Sequence, residues 1–170
     1  MNRTTGAVGH AGQAVSVALS GDGNTAIVGG SKDNSGAGAA WVHTRSGAVW
    51  SQQGSKLVGT GAAGAAGQGI SVALSGDGNT AIVGGVADNS GAGAAWVYTR
   101  SGGVWTQQGS KLVGTGAVGS ARQGGSVALS CDGNTAIVGG IADNKVTGAA
   151  WVHTRTDGVW TRTPAEYLGY

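Results

Sequence analysis

Apolar residues alternate with small or polar residues in short stretches, and each stretch ends in residues that favour turns. Val15, Val17 and Leu19 follow this period of two, which predicts a β-strand with one buried face. Residues 21–24 read Gly-Asp-Gly-Asn, and an Asp-Gly step between two such stretches predicts a hairpin. Residues 25–28 form the second apolar stretch. The pattern therefore predicts a β-hairpin with its turn at positions 22 and 23.

Two more strands are predicted downstream of this hairpin. Residues 31–38 are all turn formers, and residues 39–45 form a third apolar stretch. A fourth strand is predicted from position 49 to position 58, and residues 60–67, rich in Gly and Ala, lead onward. No stretch shows an apolar period of 3.6 long enough for a helix. The sequence thus predicts only strands and turns.

The whole pattern repeats with a period of 55 residues. Residues 12–66 and 67–121 agree at 46 of 55 positions, and the third copy, residues 122–170, departs after Thr161. We refer to these three copies as units 1, 2 and 3 of a single repeat domain spanning 1–170. All six tryptophans obey the period: Trp41, Trp96 and Trp151 at one position, and Trp50, Trp105 and Trp160 at another.

Four antiparallel strands in roughly 50 residues is the size of one β-propeller blade. Small residues such as Ala18, Ala26 and Ala40 favour close packing between blades. We predict an all-β fold of three tandem four-stranded blades, either a partial propeller or half of an assembled ring. A β-trefoil, which also has three units of four strands, is the alternative, although its core usually needs more large apolar residues.

Composition narrows the class of protein. The 170 residues include 36 Gly but no Gly-X-Y period, which excludes collagen. Ten basic and eight acidic side chains give a net charge of +2 without any Lys or Arg run, so no nucleic-acid partner is expected. The apolar runs are too short for membrane insertion, and no secretory signal is visible. The single Cys131 excludes an intrachain disulfide.

Residues 68–85, reading Gln-Gly-Ile-Ser-Val-Ala-Leu-Ser-Gly-Asp-Gly-Asn-Thr-Ala-Ile-Val-Gly-Gly, resemble an FG-GAP repeat. These repeats are the blades of integrin-α-like β-propellers and of many bacterial surface or secreted proteins. The resemblance covers essentially the whole chain, three times over. It implies a ring of six or seven blades, a binding function rather than catalysis, and an extracellular or cell-surface location.

Three features of the family pattern are missing. Gln68-Gly69 stands where the family has Phe-Gly, and Val86 stands where it has the Pro of a Gly-Ala-Pro step. The Asp-x-Asp-x-Asp-Gly calcium loop of integrin-like blades is absent as well. The resemblance therefore carries no calcium site onto this chain.

Six of the eight acids occupy two repeat positions, each followed by Asn within two residues: Asp22, Asp77 and Asp132, and Asp33, Asp88 and Asp143. Calcium prefers six to eight oxygen ligands, whereas each loop offers one carboxylate. Turn chemistry is the favoured interpretation, because Asp and Asn bind their own backbone in turns. We therefore expect neither a metal site nor a cofactor.

A ring side chain recurs at His43, Tyr98 and His153. Replacing imidazole by phenol would remove a general base or a metal ligand, so we expect rings on a half-exposed strand face. Cys131 replaces the glycine at positions 21 and 76, where a positive φ would make the change strained. We expect no nucleophile there.

The tryptophans and a recurring arginine are the candidate ligand-binding residues. The arginines end the third strand of each unit, at Arg45, Arg100 and Arg155. Paired tryptophans suit the apolar face of a sugar, and one pair per blade would form a multivalent array. The alternatives are that the rings fill the core, and that each arginine covers a sheet edge or stacks on a tryptophan.

We interpret the chain as a non-enzymatic module for binding a protein or carbohydrate ligand, or for a structural role. A lectin using paired tryptophans is the alternative. A propeller hydrolase or lyase would need a titratable cluster at the blade mouths, and only isolated acids are available. Three blades leave two open apolar faces, so two chains would close a six-bladed ring as a homodimer.

Overall fold

The computed structural model describes residues 5–163 and consists of three four-stranded antiparallel sheets, one in each unit. Every sheet follows chain order, from the first strand of the unit to the fourth. No strand pairing in the described part of the chain exchanges strands between units, which excludes the β-trefoil alternative. The predicted all-β fold of four-stranded repeats is confirmed.

The elements recur at the same places in each unit. Unit 1 contains β1 (Gln13–Leu19), β2 (Thr25–Gly30), α1 (Asp33–Gly36), β3 (Ala39–Ser46) and β4 (Val49–Gln52). Unit 2 contains β5 (Ser71–Leu74), β6 (Thr80–Gly85), α2 (Asp88–Gly91), β7 (Ala94–Ser101) and β8 (Val104–Gln107). Unit 3 contains β9 (Gln123–Leu129), β10 (Thr135–Gly140), α3 (Asp143–Val146), β11 (Ala149–Thr156) and β12 (Val159–Arg162).

The segments α1 to α3 are single turns and not regular helices. In α2, Asn89 and Ser90 have φ values of 49° and 56°, in the left-handed region. Short polar side chains tolerate this conformation better than branched ones do. The prediction of a loop made of turn formers therefore agrees with the local geometry.

The fourth strand is shorter than predicted. In unit 1, β4 ends at Gln52, and the chain leaves the sheet through Gly54, whose φ is 71°. It returns at Leu57, which exchanges two backbone hydrogen bonds with Ala40 (2.7 and 3.0 Å). The left-handed glycine breaks the strand that the apolar residues on either side of it suggested.

Each sheet has two faces that pack against different neighbours. Cross-strand register places Ala18, Ile27 and Val42 in one row, which we call the front face of unit 1. The rows containing Val17 and Leu19 form its back face. The front face of unit 1 packs on the back face of unit 2, and the front face of unit 2 packs on the back face of unit 3. The core thus consists of two equivalent junctions between sheets and a smaller cluster of Ala11, Ala39 and Trp41 in unit 1.

The innermost strands of successive sheets lie side by side. Strand β5 contacts both β1 and β9. At the hairpin turns the Gly21 N–H donates to Gly76 O (2.9 Å), and the Gly76 N–H donates to Cys131 O (2.8 Å). The first strands of the three sheets are therefore neighbours along one edge of the packed sheets.

The hairpin turns lie where the Asp-Gly steps predicted them, but the glycine with positive φ is the one after the aspartate. Gly23 has a φ of 66°, and its N–H donates to Ser20 O (2.9 Å). Position 21 does not have a positive φ, and neither does its equivalent Cys131. The expected strain at Cys131 is therefore wrong; its side chain is exposed and its Sγ lies close to Gly76.

Candidate functional site

The outer two strands of each sheet carry an arginine stacked on a tryptophan. In unit 2, Arg100 on β7 lies opposite Trp105 on β8, with its guanidinium carbon 5.3 Å from the ring centroid. Its Nε donates to Asn79 Oδ1 (2.9 Å), so the arginine is held from its other side by the hairpin turn. The same pairs occur as Arg45 with Trp50 at 5.7 Å and Arg155 with Trp160 at 5.4 Å. All three are favourable cation–π contacts.

Two of these pairs are bound to the preceding unit. Arg100 Nη1 and Trp105 Nε1 both donate to Gln53 Oε1 of unit 1, each at 3.0 Å. Arg100 Nη2 also donates to Thr25 Oγ1 (3.3 Å). The next junction repeats this arrangement: Arg155 and Trp160 donate to Gln108 at 2.8 and 3.0 Å, and Arg155 donates to Thr80 at 3.4 Å. These candidate ligand-binding residues therefore join one blade to the next.

The pair in unit 1 is the accessible one. Arg45 donates to Asn24 Oδ1 through Nε (3.1 Å) and Nη2 (3.0 Å), and both Arg45 and Trp50 are exposed. Trp50 is 37% exposed, and among the described residues no glutamine of another unit binds this pair. It has the same stacked geometry as the two pairs that are covered.

The inner tryptophans lie in the core. Trp96 is completely buried, and its Nε1 donates to Thr60 O in the linker (2.8 Å). The linker glycine Gly59 lies against this ring, where a Cβ would come within 2.1 Å of Trp96 Cδ1. Trp41 and Trp151 make the same hydrogen bond to Thr5 O and Thr115 O, each at 3.0 Å. The two tryptophans of a unit thus do not form one accessible platform.

The first aspartate position builds the hairpin turn. Asp22 accepts hydrogen bonds from Ser20 Oγ (2.6 Å) and from the backbone and side-chain nitrogens of Asn24 (2.9 and 3.0 Å). These bonds favour the charged carboxylate, so the pKa of Asp22 is lowered to about 2. The same bonds recur around Asp77 and Asp132. The geometry agrees with the turn interpretation of these acids.

The second aspartate position is buried and ion-paired. Asp88 Oδ2 lies 2.6 Å from Lys111 Nζ, and its Oδ1 accepts the Ala63 N–H (2.8 Å). Asp33 has the same two partners in Lys56 and the Val8 N–H. Each carboxylate thus ties its own loop to the linker that precedes its unit.

No group of three His, Cys, Asp or Glu side chains in residues 5–163 is arranged to hold a metal ion. Within the same residues, no helix has the length and apolar character needed to cross a membrane.

A glutamine that recurs at the start of units 2 and 3 has a structural role that the fold reveals. Gln68 is buried, accepts the Gly59 N–H (2.6 Å) and donates to Gly59 O (2.9 Å). Gln123 makes the same two bonds to Gly114. A planar amide satisfies both backbone groups of a buried linker residue, which an aromatic ring would leave unpaired.

The recurring ring position is more buried than predicted. Tyr98 and His153 are each 3% exposed, whereas His43 on the open back face is half-buried. Tyr98 Oη and His153 Nε2 have no hydrogen-bond partner among residues 5–163. The expectation of a half-exposed ring is wrong for Tyr98 and His153, because the front face of the preceding unit covers them.

Sequence reasoning missed the glutamines that join successive blades and the lysines that pair with the buried aspartates. Gln53, Gln108, Lys56 and Lys111 recur at the 55-residue period. Recurrence was the available signal, but a lone polar residue on a strand gives no indication of which neighbour it binds.

Comparison with solved structures identifies the architecture. The fold is similar to that of Sqt1 from Saccharomyces cerevisiae, with a TM-score of 0.59 and 15% identity, covering 94% of this chain and 37% of that one. It is also similar to a putative TolB from Agrobacterium tumefaciens, with a TM-score of 0.50 and 15% identity, covering 86% and 44%. Both are β-propeller proteins. The three sheets are β-propeller blades.

The chain spans less than half the length of these two propellers. No protein-family model matches it, and no curated protein matches it by sequence. At 15% identity, the similarity to Sqt1 and TolB establishes the fold alone.

Proposed function

We propose that this chain is an FG-GAP-type propeller module that binds a protein or carbohydrate ligand at its outer rim, or serves a structural role, and that it is not an enzyme. An extracellular or cell-surface location belongs to the same proposal. It rests on the resemblance of residues 68–85 and on the way the blades use their polar side chains.

The observation that carries the proposal is that the recurring charged side chains bind other groups of the protein, within a blade or between two blades. Asp88 is neutralised by Lys111, Asp77 closes a hairpin turn, and Arg100 bridges two blades. A hydrolase or lyase needs an acid and a base that face a common substrate. In the described residues these groups face the protein's own backbone and neighbouring blades, as in a scaffold.

The Arg45–Trp50 pair is the ligand contact that the geometry favours. Its ring is exposed and carries a guanidinium over one face, so it offers an apolar surface beside a cation. Such a surface suits a sugar with an acidic group, or an acidic segment of a protein. Trp41, Trp96 and Trp151 are too buried to take part.

Tryptophan fluorescence tests the carbohydrate arm of this proposal. Uronic-acid oligosaccharides are titrated into the chain, with neutral oligosaccharides as the comparison. We expect the acidic sugars to quench the emission and the Trp50→Ala variant to lose most of the change. The control variant is Val49→Ala, which alters the exposed neighbouring residue and retains the quench.

Two results would count against this function. A quench that survives in Trp50→Ala places the ligand elsewhere. Catalytic turnover of a glycoside, ester or phosphate substrate by the purified chain would support the enzyme alternative.

A further inference from the structure

Within residues 5–163, the two end faces lack the neighbouring sheet that covers the equivalent faces inside the chain. The back face of unit 1 exposes Val17 by 66%, whereas its equivalent Val72 in unit 2 is 8% exposed. The front face of unit 3 exposes Ile137 by 40%, whereas Ile82 in unit 2 is fully buried. The same side chains are thus exposed or buried according to whether a blade stands in front of them.

The open faces have the composition of the faces that already pack together. The front face is identical in residue type in the three units: Ala18, Ile27, Ala40 and Val42; Ala73, Ile82, Ala95 and Val97; Ala128, Ile137, Ala150 and Val152. The back face is identical at four positions: Val17, Leu19, Ala26 and Val28; Val72, Leu74, Ala81 and Val83; Val127, Leu129, Ala136 and Val138. At these positions the front face of unit 3 and the back face of unit 1 therefore have the same residue types as the faces that pack inside the chain.

Polar groups at the open ends also match across the two faces. Inside the chain, Thr25 and Thr80 accept hydrogen bonds from the arginine of the following unit. Thr135 stands at the equivalent place on unit 3, and Arg45 stands at the equivalent place on unit 1. At the hairpin turns, the Gly21 and Gly76 N–H groups donate to a carbonyl oxygen in the turn of the next unit. The Cys131 N–H is the equivalent donor of unit 3.

We propose that a second copy of this chain covers both open faces. The front face of unit 3 of each copy docks on the back face of unit 1 of the other, forming a closed homodimer of six blades. The junction between copies would pair the same two faces as the two junctions inside the chain. A blade of the same sequence is therefore the partner that matches these faces. Docking would bring unit 3 of the second copy against the Arg45–Trp50 pair, as the preceding unit lies against Arg100 and Trp105. A ligand at this pair would therefore bind the monomer, and sedimentation without ligand tests the dimer separately from the proposed function.

Two substitutions make the junction between copies weaker than those within a chain. Ala14 stands where the other units have Gly69 and Gly124, and a Cβ at Gly69 would lie 2.2 Å from Ala39 O of the preceding unit. Because Ala14 shares the left-handed backbone (φ 66°), its methyl group would meet Ala149 O of the second copy. Thr163 also replaces the acceptor that Gln53 and Gln108 provide.

Sedimentation equilibrium on the full chain, from nanomolar to high micromolar concentration, tests the dimer. We expect a reversible transition from 16.4 kDa to twice that mass. Ile137→Glu should raise the dissociation constant about a hundredfold, because it buries a charge without a partner. The control is Val159→Glu, which should leave the dissociation constant unchanged. Val159 and its equivalents Val49 and Val104 are exposed in all three units, even in unit 2, which has a blade on each side.

A second pair of variants tests the geometry of docking. Inside the chain, a Cβ added at Gly84 would lie 2.1 Å from Gly124 O of the next unit. At the equivalent Gly139, an added Cβ would approach only Ser126 Oγ, which can rotate away, and the next atoms lie at 3.7 Å. Gly139→Ala should therefore fold normally and weaken the dimer, and Ala14→Gly should tighten it by about tenfold. Circular dichroism and thermal melts of each variant verify that the blades are intact.

Three outcomes would overturn the proposal. The first is a wild-type chain that stays at the mass of a monomer throughout the concentration range. The second is a dimer that Ile137→Glu and Gly139→Ala leave unchanged. The third is a mass that keeps growing with concentration beyond two chains, because it would mean an open filament and not a closed ring.

Discussion

The recurring polar residues of this protein bind backbone groups and neighbouring blades, and their identities follow from those partners. Asp88 is buried because Lys111 neutralises it and the Ala63 N–H donates to it. Gln68 carries an amide because the buried Gly59 presents both a donor and an acceptor. Residue identity is thus set by the hydrogen bonds that a blade must satisfy across its edges.

Removing the Asp88 carboxylate should destabilise the chain strongly. Asp88→Ala leaves Lys111 without its partner and the Ala63 N–H without its acceptor, so we expect a loss of about 3 kcal/mol in the free energy of unfolding. Asp77→Ala, which removes an exposed turn carboxylate, should cost about 1 kcal/mol. Urea denaturation of the two variants measures the difference, and equal losses would contradict the ion-pair role.

Protonation of His153 should make stability depend on pH. Burial, together with the Arg162 cation, lowers the pKa of His153 from its ordinary 6.5, so the folded chain holds this imidazole neutral. The unfolded chain binds the proton at the ordinary pKa and therefore carries more protons below it. The stability contributed by His153 is present above pH 6.5 and is lost as the pH falls below that value.

The variant His153→Tyr places at this position the residue that unit 2 has in Tyr98. Chemical denaturation between neutral and mildly acidic pH should show a shallower fall in stability for this variant than for the wild type. His43→Tyr should flatten the curve less, because His43 is more exposed. An unchanged slope in His153→Tyr would show that another group controls the acid response.

Calcium should bind weakly at most. The Asp77 carboxylate is already held by Ser75 and Asn79, and the Asp88 carboxylate by Lys111, so neither loop offers a free cluster of oxygens. Calorimetry with calcium chloride should give no micromolar transition. Micromolar binding that disappears in Asp77→Ala or Asp33→Ala would contradict this expectation.

At the scale of elements, glycine decides how closely two strands of different blades approach. Gly29 and Gly84 lie so close to the next blade that a Cβ would reach 2.0 and 2.1 Å from a backbone carbonyl oxygen. Ser16 Oγ and Ser71 Oγ donate to these same oxygens, on Gly69 and Gly124 (2.9 and 2.7 Å). The glycine content therefore has a packing origin as well as a turn origin.

A methyl group at Gly84 should separate two blades. Gly84→Ala forces the backbone of unit 3 away from β6, and we expect a loss of about 2 kcal/mol or more in stability, as for other overpacked sites. Gly125→Ala is the matched control, since its nearest atom outside the chain neighbours lies at 3.4 Å. Thermal melts should show a large shift for the first variant and almost none for the second.

At the scale of the whole molecule, stability should be greatest in the middle. Every residue of β6 is buried, whereas buried and partly exposed residues alternate in β2 and β10. In stacked repeats each unit is stabilised by its neighbours, so the unit with two neighbours opens last.

Hydrogen exchange measured at low protein concentration should rank the strands accordingly. The amides of β6 should exchange more slowly than those of β2 and β10. At high concentration the difference should narrow, because the second copy would then cover the outer faces. Equal exchange in the three strands of the diluted chain would contradict the nearest-neighbour description.

The sequence by itself determined the repeat, the strand count and the hairpin turns. Alternation at Val15, Val17 and Leu19 and the Asp-Gly steps are local signals, and they recur every 55 residues. The fourth strand was overestimated, because a single glycine at position 54 interrupts an otherwise continuous pattern. Local patterning was sufficient wherever an element depended only on its own residues.

Only the tertiary structure decided which residues meet between blades. The sequence left open whether the two tryptophan positions form a binding platform or a core, and packing assigns Trp96 to the core and Trp105 to a junction with Gln53. It also left Asp88 as a turn residue, whereas the fold buries it beside Lys111. The burial of a side chain and its partners depend on the neighbouring blade. Val17 and Val72 are equivalent residues, but only Val72 is covered by another blade, and so only Val72 is buried.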